Sequence, residues 1–225
     1  HLLCEGSFEF GFWSASQPEN AYPQHILFLQ SDRSDPDRSA PLLHPYFIPH
    51  EGDDGYHADD QSVIGFPYMT TGRSRLNGLN EDGISFINTG RQRDLGGMLA
   101  ALDTTAVEAV ELNWLCQTLL QNYRQYGICL QYRIGSAGSF EDLIDGGKPV
   151  EYLSGATGHT QTFGPVCLPP ALMGKPNLQL LWRYYYVGGS SGARAQIRLD
   201  DITVTTPIFP YGGQPRDIPG RIEAE

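Results

Sequence analysis

Six planar or charged side chains recur at alternating positions inside apolar stretches of the second half of the chain: Gln131, Arg133, Arg183, Tyr185, Arg194 and Arg198. In YGICLQYRI (126–134), Ile128, Leu130, Tyr132 and Ile134 share one parity, and Cys129, Gln131 and Arg133 share the other. In ARAQIRLDDI (193–202), Ala195, Ile197 and Leu199 oppose Arg194, Gln196 and Arg198. Successive residues of a strand point to opposite faces, so each segment carries an apolar side and a hydrogen-bonding side. A sugar needs flat apolar surface for its C–H faces and planar groups for its hydroxyls. Guanidinium groups also pair bidentately with a carboxylate or sulfate. These six residues are therefore the candidate binding set for a polysaccharide, neutral or anionic. The competing reading is a solvated outer face laced with weak ion pairs.

Constellations for catalysis are missing. There is no G-x-S-x-G nucleophile elbow, Walker loop or dinucleotide fingerprint. GSSGAR (189–194) lies between two strand-like segments and reads as a hairpin turn. A glycosidase needs two facing carboxylates, and nothing in the sequence places Glu141/Asp142 or Glu108/Glu111 across a cleft. The E-x-D-x-x-E pattern of jelly-roll glucanases and the R-x-E-x-R and Q-x-H pairs of jelly-roll alginate lyases are also absent. The expectation is a non-catalytic module. Two further polar clusters have structural readings. HEGDDGYHADD (50–60) fits neither the EF-hand spacing nor a zinc signature and reads as a solvated turn, the alternative being a loop that holds calcium. Arg73, Arg75, Asn77, Asp82, Asn88, Arg91, Arg93 and Asp94 read as a hydrogen-bond network that fixes long loops, the alternative being a ligand site on the edge of the sandwich.

The elements that must position the six residues are strands. VELNWL (110–115), YGICLQYRI, NLQLLWRYYYV (177–187) and ARAQIRLDDITVT (193–205) are separated by Gly-rich turns. NLQLLWRYYYV is ambiguous, because both of its parities are partly apolar. The best helix candidate is 95–112, which two glycines and two threonines interrupt; it predicts at most one helical turn. Several strands with such turns predict an all-β, antiparallel β-sandwich of the jelly-roll type. Long N-terminal loops, loop-like over 30–62, would lie over it.

With 42 Gly and Pro and 25 aromatic residues in 225, the composition suits short strands joined by turns. A net charge of −11 argues against a nucleic-acid or anionic-membrane partner, and no apolar run is long enough for a membrane-spanning helix. The chain opens HLLCEGSFEF, without an initiating Met or leader-like segment, and so reads as a mature or excised piece. Cys4, Cys116, Cys129 and Cys167 form no CxxC pair; two disulfides and free thiols both remain open. Residues 1–205 read as one module. TPIFPYGGQPRDIPG (206–220) reads as a linker, and RIEAE (221–225) as the start of a following module.

Three resemblances add to this. RIEAE after a linker is similar to the opening strand of family 6 carbohydrate-binding modules. SFEFGFW (7–13) and LDDITV (199–204) resemble the two ends of family 4, 9 and 22 carbohydrate-binding modules. In those modules a structural calcium is held by an opening Glu and a closing Asp, which implies Glu9 and Asp201 here. The match departs in having Glu5-Gly6-Ser7 where an "NG" often precedes the opening "FE". DGISFINTGRQRDLG (82–96) and LLWRYYYVGGSSGARAQIRLDDI (180–202) resemble a jelly-roll module of large secreted bacterial proteins. Together these imply an extracellular or cell-surface home, polysaccharide as partner, and contacts with neighbouring modules of the same chain. The alternatives are a structural module that spaces or docks its neighbours and, less favoured, a jelly-roll glycan hydrolase or lyase.

Overall fold

The computed structural model describes residues 1–15, 22–31, 33–43, 75–88 and 94–207. The expected linker from residue 208 on, the RIEAE end, the 50–60 cluster, and Arg73, Arg91 and Arg93 lie outside these residues.

Fifteen strands form among the described residues: β1 (Phe8–Phe10), β2 (Ile26–Ser31), β3 (Leu42–Leu43), β4 (Arg75–Gly78), β5 (Ile84–Ile87), β6 (Leu95–Leu102), β7 (Glu111–Leu120), β8 (Gln125–Ile134), β9 (Glu141–Asp142), β10 (Ile144–Asp145), β11 (Lys148–Pro149), β12 (Glu151–Leu153), β13 (Thr160–Cys167), β14 (Leu178–Gly188) and β15 (Gln196–Thr205). They build two antiparallel sheets and a short β10–β11 hairpin. Sheet I runs β13-β7-β15-β5-β4, with β1 on β15; sheet II runs β12-β8-β14-β6-β2-β3, with β9 on β8. The cores of these orders, β13-β7-β15-β5 and β12-β8-β14-β6, hold eight strands, and taken in chain order the chain changes sheet at six of the seven steps between them. That is the jelly-roll connectivity, and the expected antiparallel sandwich is the observed one.

Alternation explains which side of each strand is inside. Leu112, Trp114 and Cys116 of β7 and Ile197 and Leu199 of β15 face Ile128 and Leu130 of β8 and Leu180, Trp182 and Tyr184 of β14 in one buried cluster. Aromatic rings tie the layers together. Trp114 meets Trp182 edge-on at 6.2 Å, and Phe86 of sheet I stacks on Tyr184 of sheet II at 5.5 Å. Such pairs contribute about 1 kcal/mol each beyond the area that they bury. The ambiguous NLQLLWRYYYV is settled by register: Leu180, Trp182 and Tyr184 point inward, while Leu181 joins Leu29 and Leu99 in a small cluster of its own.

Two expectations are corrected. Residues 95–102 form strand β6 and not a helical turn. The strand is buried on both faces, so its sequence is a nearly continuous apolar run, and periodicity cannot tell such a run from a buried helix. GSSGAR is not a hairpin turn. The strands on either side of it, β14 and β15, lie in different sheets and do not pair, so the segment crosses the end of the sandwich. The cysteine alternatives resolve to four free thiols, with Cys116 and Cys129 buried and Cys4 and Cys167 exposed.

Gly97 sits in β6 at φ 136°, and a Cβ there would press into the Trp182 carbonyl and stand 2.9 Å from the Arg183 Cα. Both the backbone conformation and the β6–β14 approach therefore require glycine. Gly97→Ala is expected to cost about 2–3 kcal/mol by the overpacking and φ-strain mechanisms, read as a lower midpoint in denaturant unfolding with an unchanged slope.

Candidate functional site

The six candidate residues do not share a face. Gln131 and Arg133 on β8 and Arg183 and Tyr185 on β14 point outward from sheet II. Arg198 belongs to β15 and points outward from sheet I, on the opposite side of the sandwich. It bonds to the Asp82 carbonyl at 2.8 Å, pairs with the Asp82 carboxylate at 2.8 Å, and pairs with Asp200. Arg194 precedes β15 at the end of the sandwich, where it bridges to Arg124. Alternation separates inside from outside but carries no information on which sheet a strand joins, so two outer faces were superposed in the sequence reading.

Neither is the outer face of sheet II an open platform. Gln131, Arg183 and Tyr185 are at most 5% exposed, because the segment 33–43 lies across them. Arg183 donates from Nε to Gln131 Oε1 at 2.6 Å and from Nη1 to the Ala40 carbonyl at 2.9 Å. Gln131 Nε2 donates to the Arg38 carbonyl at 3.0 Å and to Asp142 Oδ1 at 2.7 Å. The Arg38 guanidinium rests over the Tyr185 ring at 5.1 Å, within ion-pair distance of Asp142 (3.3 Å) and Glu151 (3.4 Å), and Glu151 also accepts from the Tyr185 hydroxyl.

Asp35 holds this segment in place. Its carboxylate accepts Arg194 Nε and Nη2 at 2.8 Å each, pairs with Arg124, and accepts the Tyr126 hydroxyl at 2.5 Å. Its own N–H donates to Asp94 Oδ2 at 2.8 Å, and the next carbonyl, of Pro36, accepts Tyr186 N–H at 2.7 Å. Burial alone would raise the Asp35 carboxyl, but the hydrogen bonds from Arg194 and Tyr126 and the charges of Arg194 and Arg124 outweigh it and hold the group below its ordinary value.

Between the strap and the sheet a cleft of about 480 Å³ remains open, lined among others by Arg38, Pro41, Gln131, Arg133, Phe140 and Arg183. Three of the six candidate residues therefore meet in one place. Arg133 is stacked on the Phe140 ring at 4.3 Å and is oriented by Gln179 Oε1 (3.0 and 2.6 Å) and the Gly138 carbonyl (3.0 Å). Burial pushes the Cys129 thiol up to about 12 despite the nearby Arg38 and Arg183, so it is protonated at neutral pH and no nucleophile. Sequence alone does not single out Arg38, Phe140 or Asp35, and offers Asp142 only as half of the Glu141/Asp142 pair. They lie in loops or in a two-residue strand, where no periodicity marks a side chain's direction.

The implied calcium pair is placed at the β1–β15 ladder. Glu9 pairs with Thr203 and accepts from the Ser7 hydroxyl at 3.0 Å, whereas Asp201 takes φ 52° at an irregularity in the β15–β7 register. Among the described residues no three His, Cys, Asp or Glu side chains converge as a metal set. Two carboxylate oxygens do approach one spot: Asp200 Oδ1 and Asp201 Oδ1 lie 3.6 and 3.7 Å from where a Cβ on Gly11 would stand. Asp200 Oδ1 is buried without a hydrogen-bond partner.

Of the 73–94 polar cluster, Asn77, Asn88 and Asp94 make bonds within the protein. Asn88 Oδ1 accepts Leu95 N–H at 2.8 Å, Asn77 reaches Ser85 at 3.4 Å, and Asp94 holds Asp35. They brace loops, as their density suggests. Compared with protein-family models, curated proteins and solved structures, the chain matches none.

The Asp35 clasp is testable. Asp35→Asn removes the charge that two arginines share, an imbalance expected to cost about 3 kcal/mol in urea unfolding. In the parent chain the depressed carboxyl contributes stability that is fully present above the unfolded value near 3.8 and is lost as pH falls through the folded value. Stability should therefore fall in acid below about pH 4, and the Asn variant should show a shallower fall over the same range.

Proposed function

We propose that this chain is a non-catalytic carbohydrate-binding module that takes a stretch of polysaccharide along the cleft above sheet II. The observation that carries the reading is the cleft itself, with planar hydrogen-bonding groups (Gln131, Arg133, Arg183) beside an aromatic ring (Phe140) and Pro41. This is the combination that sugar hydroxyls and C–H faces require. Asp142, the carboxylate at the cleft, is engaged by Gln131 and Arg38, which suits holding a ligand better than transferring a proton. As a module of a secreted polysaccharide-degrading protein, it would tether that protein to its substrate.

Affinity electrophoresis or calorimetry of the whole chain against a panel of neutral and anionic glycans tests this. Retardation by at least one glycan is expected, weakened by Phe140→Ala; a panel without any retardation refutes binding. A second reading, a module that spaces or docks neighbouring domains, is favoured by the internal use of Arg183, Gln131 and Arg194. It predicts no glycan binding, and loss of stability in adjoining domains when the module is deleted.

The proposal includes a structural calcium. Asp201, together with Asp200, whose Oδ1 is an orphaned buried acceptor, would supply the carboxylate oxygens. The rest of the six to eight oxygens would come from backbone carbonyls and water. Calcium should raise the melting temperature by linkage, and chelator should lower it. A melting curve unmoved by either would remove the ion from the proposal.

A further inference from the structure

Three arginines, Arg38, Arg133 and Arg183, line the cleft against one carboxylate, Asp142. The cleft therefore has a local excess of positive charge on a chain whose net charge is −11. Arg38 is offset by Asp142 at 3.3 Å and by Glu151, outside the cleft lining, at 3.4 Å. Arg133 and Arg183 have no carboxylate within ion-pair distance among the described residues. Arg183 is 4% exposed, and a guanidinium does not deprotonate inside a protein. It is thus a buried cation whose hydrogen bonds go to two neutral acceptors, Gln131 Oε1 and the Ala40 carbonyl; the Asp142 and Asp37 carboxylates act on it only beyond ion-pair distance, and its Nη2 donates to no described residue. Burying an unpaired charge is costly, and an anion in the cleft would offset that cost.

Resting on the carbohydrate reading of this cleft, we propose that it is built for an acidic sugar, whose carboxylate or sulfate is held between Arg183 Nη2 and the free donors of Arg133. The geometry divides the work. Phe140 and Gln179 fix the Arg133 plane, while Gln131 and Ala40 fix that of Arg183. Both forks are thus oriented before ligand arrives, which limits the entropy lost on binding. Non-specific adsorption does not produce the same result, because the field of the whole chain repels a polyanion.

The test is calorimetry of the full chain with polygalacturonate, a sulfated dextran and unmodified dextran at low and high salt. A polyuronate or the sulfated glycan should bind, with affinity that falls as salt rises. Unmodified dextran should bind at least tenfold more weakly. Whichever anionic arm binds identifies the group. Arg133→Gln should weaken that binding about tenfold, the loss of one charge-assisted bond. Lys175→Gln, the same charge change outside the cleft, should leave it unaltered, and the melting curves show that both variants are folded. Equal binding of neutral and anionic glycans overturns the acidic-sugar inference and leaves the carbohydrate reading standing. Binding to none overturns both. Anionic binding that responds equally to the two variants overturns the placement at Arg133 and Arg183.

Discussion

One carboxylate governs how the outer surface of this sandwich is organised. Asp35 meets Arg194, Arg124 and Tyr126, which come from the two connections at one end of the sandwich and from the start of β8. Placed there, it fixes where the segment 33–43 enters the outer face of sheet II. Every later contact of that segment follows. Pro36 joins Tyr186, the Arg38 carbonyl takes Gln131, and Ala40 takes Arg183. The cost of desolvating two guanidinium groups is offset because the carboxylate accepts from both, and from a phenol besides.

The segment makes sheet II three-layered in effect: inward side chains in the core, the sheet, and a strap over the outward polar side chains. Polar groups on a covered face must find partners. Gln131 spends both N–H groups and one acceptor position on protein partners, while Arg183 Nη2 donates to no described residue. The network that anchors the strap and the surface offered to a ligand are therefore the same residues seen from two sides. The carbohydrate reading and the docking reading draw on the same geometry and differ in whether the remaining donors have an outside acceptor.

Much of the fold was legible in the sequence. Four of the five long strands of the second half, β7, β8, β14 and β15, stand close to where the sequence puts them, whereas the sequence does not mark β13 as a strand. The failures have two causes. Leu95–Leu102 has no polar parity because both of its faces are covered, and GSSGAR looks like a turn because a sheet-to-sheet crossing uses the same small residues as a hairpin. Of the site, Gln131 and Arg133 were legible from strand parity. Arg183 stands on a strand whose two parities are both partly apolar, and Arg38, Phe140 and Asp142 lie in loops or in a two-residue strand, which carry no periodic signal.

By itself the sequence determined that this chain is a β-sandwich, which side chains of β7, β8 and β15 turn inward, and that arginines and glutamine alternate with them on β8 and β15. Only the tertiary structure decided that Arg198 lies on the opposite sheet from Arg183, that a strap buries Gln131 and Tyr185, and that a cleft is left beside Arg133. The physical reason is that parity along a strand is a local property of the backbone. Sheet membership, and the path of a loop pinned by one carboxylate, depend on contacts between residues roughly 90 to 160 positions apart.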